Sequence, residues 1–259
     1  MVIIFMSNIQ SVPEIQKIVN VFSQNIGNNL FALISVGSLT TKHYLESWSD
    51  IDLIVVFDQI SFSDKNTISK IKSILENTYK KRFGINIITR QEATSPILPV
   101  ISIDGKTLQG LLDLNTHPER LLFCRESGVV FFVPDSQTIK EYSISNIFMF
   151  LRRNRKSLTS DLSSVDVPLK NVTEREIRAS FIMTRLAIQY IKGINCSGYK
   201  EISETAKELF PHHDSSILSS LEKAIRRWNT IEKQSEIRNL LRNADSYIES
   251  LAKYILSVI

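Results

Sequence analysis

Two nearly unbroken apolar runs, Leu30-Phe31-Ala32-Leu33-Ile34-Ser35-Val36 and Ile51-Asp52-Leu53-Ile54-Val55-Val56-Phe57, lie close together in the first third of the chain. Neither run alternates between apolar and polar residues, so each reads as a strand covered on both faces of its sheet. Such a sheet needs helices on its faces, and the flanking sequence supplies them. Ser11 to Gln24 places Val12, Ile15, Ile18, Val19 and Phe22 near a 3.6-residue period, with Ser11 and Glu14 at capping-box spacing. Asp64 to Lys81 turns Ile68, Ile71, Ile74 and Leu75 to one side, Ile85–Ile88 reads as a third strand, and 39–47 reads as a short helix. Phe131-Phe132-Val133 reads as strand core. The expectation is a mixed sheet with helices, an α+β arrangement.

From Pro134 onward the strand signal stops. Four helical patterns follow, at about 135–158, 173–193, 200–230 with a break at Pro211, and 234–258. Ser157 to Asn171 reads as the loop between the first two, and Thr173 with Glu176 as a capping box. The expected domains are therefore 1–134 and 135–259, the second an all-α helical bundle. Residues 1–134 carry 12 basic and 12 acidic side chains, while 135–259 carry 19 and 15, so the second half is the better placed to face anions. With 43% apolar and 22% charged residues, disorder and rod-like coiled coils are excluded. Cys124 and Cys196 stand far apart with no metal or redox spacing, which suits a reducing, cytoplasmic setting. No apolar run approaches the ~20 residues of a membrane span, and Met1-Val2-Ile3-Ile4-Phe5-Met6 lacks the basic start and length of a signal peptide.

The chemistry concentrates in Val36-Gly37-Ser38-Leu39 and Asp50-Ile51-Asp52-Leu53-Ile54-Val55. Gly37-Ser38 directly after a buried strand lets the backbone turn sharply and approach a ligand, so a phosphate cradle competes here with a plain turn. Asp50 and Asp52, two apart, project from one face, and like charges that close call for a cation between them. A solvated edge or a cap is the bland alternative for either carboxylate alone. Together they are harder to dismiss, because Asp52 enters a strand that should be buried, where an unpaired carboxylate costs several kcal/mol.

Gly-Ser, about a dozen residues, then Asp-x-Asp within an apolar strand resembles the signature of the nucleotidyltransferase superfamily related to DNA polymerase β. The order of a catalytic domain of about 130 residues followed by a helical bundle is similar to the aminoglycoside nucleotidyltransferases of the streptomycin/spectinomycin type. The resemblance implies that Gly37 and Ser38 hold the triphosphate of ATP and that Asp50 and Asp52 bind Mg²⁺ as the catalytic carboxylates. It further implies transfer of a nucleotidyl group to a hydroxyl of a small acceptor such as an aminoglycoside, with release of pyrophosphate. Thr184-Arg185, Tyr190 and Tyr199-Lys200-Glu201-Ile202 resemble the stretch in which that group sets an arginine and a lysine on the phosphates, which implies nucleotide-binding roles for Arg185 and Lys200.

One departure stands out. Many members of the superfamily carry a third carboxylate in the middle of the third strand, and this chain has Asn86 there. An amide cannot take a proton from an acceptor hydroxyl. Either Glu92 or Asp104 supplies the base, or the acceptor needs none, or the fold only binds nucleotide without turnover. General-base help is worth about 10²–10⁴-fold, so its loss slows the chemistry without abolishing it. The basic run Arg152-Arg153-Asn154-Arg155-Lys156 suits either a helix C-terminal dipole or an RNA or protein acceptor for the same transfer. Trp48 suits packing or ring stacking, and His212-His213-Asp214 makes a poor metal site because adjacent loop residues seldom converge on one ion.

Overall fold

A computed structural model describes residues 15–37, 39, 48–95, 105–132, 135–196, 198–210 and 216–258. The chain divides into two compact units, Met1–Pro134 and Asp135–Ile259. In the first, strands β1 (Leu30–Val36), β2 (Ile51–Phe57), β3 (Phe83–Thr89) and β4 (Leu121–Cys124) form one sheet in the order β3-β2-β1-β4. β1 runs antiparallel to both β2 and β4, whereas β2 and β3 are parallel, so the sheet is mixed. A parallel pair needs a crossover, and the helix α2 (Phe62–Tyr79) provides it. Ser61 and Asp64 close a capping box at its start, and Lys80 in the left-handed conformation (φ 53°) ends it.

The helix α1 (Ile15–Ile26) and α2 bury Ile18, Phe22, Ile71 and Leu75 against Leu33, Leu53, Val55 and Phe57, the odd-numbered face of the central strands. The even-numbered face is crossed by α4 (Gly105–Thr116), which follows the short α3 (Arg90–Thr94) in chain order. A Cβ on Gly110 would stand 2.4 Å from Ile54 Cδ1 and 2.8 Å from Val36 Cγ2, so only glycine allows this helix to lie so close to the sheet. Behind it, the fully buried Arg120 donates to Asp113, Gln109 Nε2 donates to the same carboxylate at 2.7 Å, and Ser35 Oγ donates to the Arg120 carbonyl at 3.4 Å.

Sequence periodicity reveals neither α4 nor β4. Glycines at 105 and 110 weaken the helical signal, and four residues are too few to show a strand's period. Phe131 and Phe132 are not in a strand, contrary to expectation, although the Phe132 N–H donates to the Ala93 carbonyl at 2.8 Å.

The second unit contains α5 (Ser136–Ser163), α6 (Leu169–Lys192), α7 (Tyr199–Leu209), α8 (Ser216–Arg226) and α9 (Gln234–Val258). α6 packs against α5 and α9 and is buried on most of its circumference. The loop expected over Ser157–Asn171 shrinks to 164–168, since α5 continues to Ser163, where Asp161 pairs with Arg175 of α6 at 2.5 Å and Thr159 Oγ1 is satisfied by the Arg155 carbonyl at 2.8 Å. Thr173 is not a cap. It lies inside α6, which begins after Pro168, and its Oγ1 donates to the Leu169 carbonyl at 2.9 Å. The basic run 152–156 sits in the middle of α5, too far from the C-terminus for the dipole that would have explained it. No helix among the described residues is long and apolar enough to cross a membrane. Residues 40–47, Ser11 and Glu14 lie outside the described residues.

Candidate functional site

β1 delivers the chain to Gly37 at the end of the sheet where Val36 pairs with Asp52. Gly37 has φ +79° and is exposed, and a Cβ there would meet nothing within 4 Å among the described residues. The glycine is thus demanded by its left-handed backbone. Ser38 lies outside the described residues. Asp50 is the residue just before β2, where the Ile51 N–H donates to the Arg82 carbonyl at 3.0 Å and fixes the lip of the β2–β3 pair.

The parallel register pairs Asp52 with Gly84 and Ile54 with Asn86, and continuing it one step past the strand ends sets Asp50 beside Arg82. These positions share one face, since strand side chains alternate. Arg82 Nε stands 3.5 Å from Asp50 Oδ1. Asp52 is half-buried between the fully buried Ile51 and Leu53. Asn86 lies on the same face one pair further into the sheet, and its Nδ2 donates to Thr107 Oγ1 of α4 at 3.1 Å. The fold therefore brings Gly37, Asp50 and Asp52 to one end of the central strands, with Asn86 beyond them. Arg82 belongs to the same group and carries no sequence signal of its own, because only the register reveals that it faces Asp50.

The other candidates fall out differently. Glu92 closes the capping box of α3, its Oε2 accepting from Thr89 N at 2.6 Å and Thr89 Oγ1 at 2.8 Å, which ties the carboxylate to a local helix start. Asp104 and His212-His213-Asp214 lie outside the described residues. Trp48 is buried and serves packing. Among the described residues no group of three or more His, Cys, Asp or Glu side chains can enclose a metal ion. Two adjacent carboxylates nevertheless fit Mg²⁺, which takes one or two protein carboxylates and completes its octahedron with water and phosphate oxygens.

In the second unit, Arg185 is half-buried on α6 and close enough to Cys196 for its charge to act on the thiol, although burial dominates and pushes that thiol up. Lys200 opens α7, is exposed, and stands 3.7 Å from Glu204 one turn on. Tyr199 meets Phe181 edge-on with ring centroids 4.6 Å apart, clamping the start of α7 to the turn of α6 that precedes Arg185.

The fold so defined is aminoglycoside-nucleotidyltransferase-like, an α+β domain followed by helices. Among solved structures the chain is similar to spectinomycin adenyltransferase AAD(9) from Enterococcus faecialis, crystallised with ATP and spectinomycin. The similarity has a TM-score of 0.53 at 14% sequence identity and covers 92% of this chain and 98% of that one. No protein-family model matches the chain, and no curated protein sequence matches it.

Proposed function

We propose that this protein is a Mg²⁺-dependent nucleotidyltransferase that moves the adenylyl group of ATP to a hydroxyl of a small acceptor such as an aminoglycoside. The observation that carries the reading is the pairing of Val36 with Asp52, which sets the left-handed Gly37 turn at the end of the sheet that carries the two carboxylates. Gly37 and Ser38 cradle phosphate oxygens, Asp50 and Asp52 would hold the metal, and the nucleotide-binding roles of Arg185 and Lys200 follow from the resemblance alone. A Mg²⁺ held by Asp50 and Asp52 would supply charge stabilisation of the phosphoryl oxygens. The acceptor hydroxyl attacks the α-phosphorus, a new P–O bond forms as the bond to the β-phosphate oxygen breaks, pyrophosphate leaves and the hydroxyl proton passes to solvent. Orientation and electrostatics carry most of such a step, so it runs slowly without a carboxylate at 86. Thiols at Cys124 and Cys196 that form no disulfide, together with the ATP and Mg²⁺ that the reaction consumes and uses, suit a cytoplasmic setting.

Incubation with labelled nucleoside triphosphates, Mg²⁺ and a panel of aminoglycosides, followed by pyrophosphate release, tests the reading. Turnover is expected with ATP and one or more acceptors, and Asp52→Asn lowers it at least ~100-fold by removing a metal ligand. A second reading has its own observation: the Asn86 amide bonded to Thr107 is an uncharged anchor where the resembled superfamily carries a carboxylate. In that case the chain binds nucleotide and turns nothing over. A silent parent rescued by Asn86→Glu or Asn86→Asp would establish this reading, and a parent that turns over and is silenced by Asp52→Asn would eliminate it.

A further inference from the structure

The face shared by β2 and β3 holds one charged residue that the proposed function leaves unused. Arg82 stands beside Asp50, its Nε 3.5 Å from Oδ1, with side chains 65% and 29% exposed respectively. A pair this exposed is exchangeable, because water screens the attraction and holding a long side chain in one geometry costs rotamer entropy. The Arg82 backbone is pinned, its carbonyl accepting from Ile51 N–H at 3.0 Å, so exchange moves the side chain and leaves the backbone in place. Next along the face, Asp52 pairs in register with Gly84, and Asn86 offers an amide whose nitrogen is engaged by Thr107. Among the described residues, the Asp50 and Asp52 carboxylates and the Arg82 guanidinium therefore share this end of the sheet.

We propose that Arg82 is a movable counter-ion: it neutralises Asp50 while no cation is bound, and passes to the phosphates of a nucleoside triphosphate when a divalent ion takes Asp50. The inference rests on the nucleotidyltransferase reading and assigns a binding role to a residue outside the resembled motif. Arginine suits the second half of the exchange because its planar fork matches two phosphate oxygens at once. Asn86 suits it as well. With an amide in place of an anion, a second cation loses a ligand, and the guanidinium at 82 brings positive charge to the phosphates by another route.

Metal and nucleotide binding separate the two halves of the exchange, measured on the parent, Arg82→Ala, Arg82→Lys and Lys81→Ala. Mn²⁺ alone is followed by electron paramagnetic resonance, and a non-hydrolysable ATP analogue with Mn²⁺ by calorimetry. Arg82→Ala is expected to bind Mn²⁺ about 2- to 5-fold more tightly, since no guanidinium has to be displaced. The same variant binds the analogue about tenfold more weakly, having lost charge-assisted bonds to phosphate. Lys81→Ala, which deletes the same charge one residue away, leaves both affinities within about twofold. Arg82→Lys recovers the parent's Mn²⁺ affinity more fully than its nucleotide affinity, because a point charge replaces the fork. Affinities in Arg82→Ala that stay unchanged, or that move in the same direction, overturn the inference while the parent's binding keeps the nucleotidyltransferase reading. A parent that binds neither Mn²⁺ nor the analogue overturns both.

Discussion

Two aspartate–arginine pairs in the first unit differ in nearly everything but their chemistry. Asp113 and Arg120 meet in the interior behind α4, at 1% and 0% side-chain exposure, while Asp50 and Arg82 meet at the lip of the sheet in reach of water. Burial strips both charges of solvent, so the interior pair is irreplaceable one partner at a time: removing either member strands an uncompensated ion. At the lip, solvent compensates either partner and the pair contributes little to stability. The same two residue types thus serve as a fixed fastening in one place and as an exchangeable contact in another, and exposure alone decides which.

The largest effect expected from breaking this contrast is in the interior. Asp113→Ala should cost about 3–5 kcal/mol and lose soluble folded protein, read by urea or thermal unfolding. A loss below ~1 kcal/mol would mean that water reaches the pair and that the two environments are alike.

Glu176 sharpens the comparison from the second unit, as a buried carboxylate held by an amide instead of a guanidinium. Asn154 Nδ2 donates to it at 2.9 Å, and burial, helped by the charges of Asp245 and Glu249 on α9 and opposed by the Asn154 bond and Arg175, pushes it up to about 7 from an ordinary 4.5. The native state therefore holds its proton where the unfolded chain has released it. Stability from this group is complete below pH ~4.5 and is lost as pH rises toward ~7, by roughly 3 kcal/mol in all. Glu176→Gln should remove that slope, gaining stability at pH 8 and changing little at pH 4, as read by unfolding midpoints across pH.

A smaller loss is expected at Gly110→Ala. Alanine gains up to ~1 kcal/mol in helix propensity, but its Cβ collides with Ile54 and the stiff Val36, and such overpacking costs about 1–3 kcal/mol. A net loss of about 1 kcal/mol should appear in thermal unfolding, and a net gain would show that α4 can lift off the sheet. Least of all in stability is Asp50→Asn, within about 0.5 kcal/mol of the parent, with Mn²⁺ binding lost all the same.

Much of this architecture is legible in the chain itself. Short apolar runs rich in β-branched residues and ended by a glycine or polar turn read as covered strands, so β1 and β2 are written in residues 30–36 and 51–57, and 3.6-residue periodicity writes α1, α2, α6 and α9. Gly37 and the spacing of Asp50 and Asp52 are local features too, since a turn and a two-residue alternation need no distant partner. What depends on partners remote in sequence stays hidden. Thr173 fits a cap by its sequence neighbours, yet it lies inside α6 with its Oγ1 also donating to the Ile237 carbonyl of α9 at 3.4 Å; and the polar run from Ser157 fits a loop, yet it continues α5, with Asp161 paired to Arg175 of α6 at 2.5 Å. The burial of Asp113 with Arg120, the glycine contact of α4 and the placing of Arg82 beside Asp50 were decided by tertiary structure alone. Strand register and helix crossing join residues that no local pattern couples, and the same Asp–Arg chemistry acquires its meaning only from the dielectric the fold builds around it.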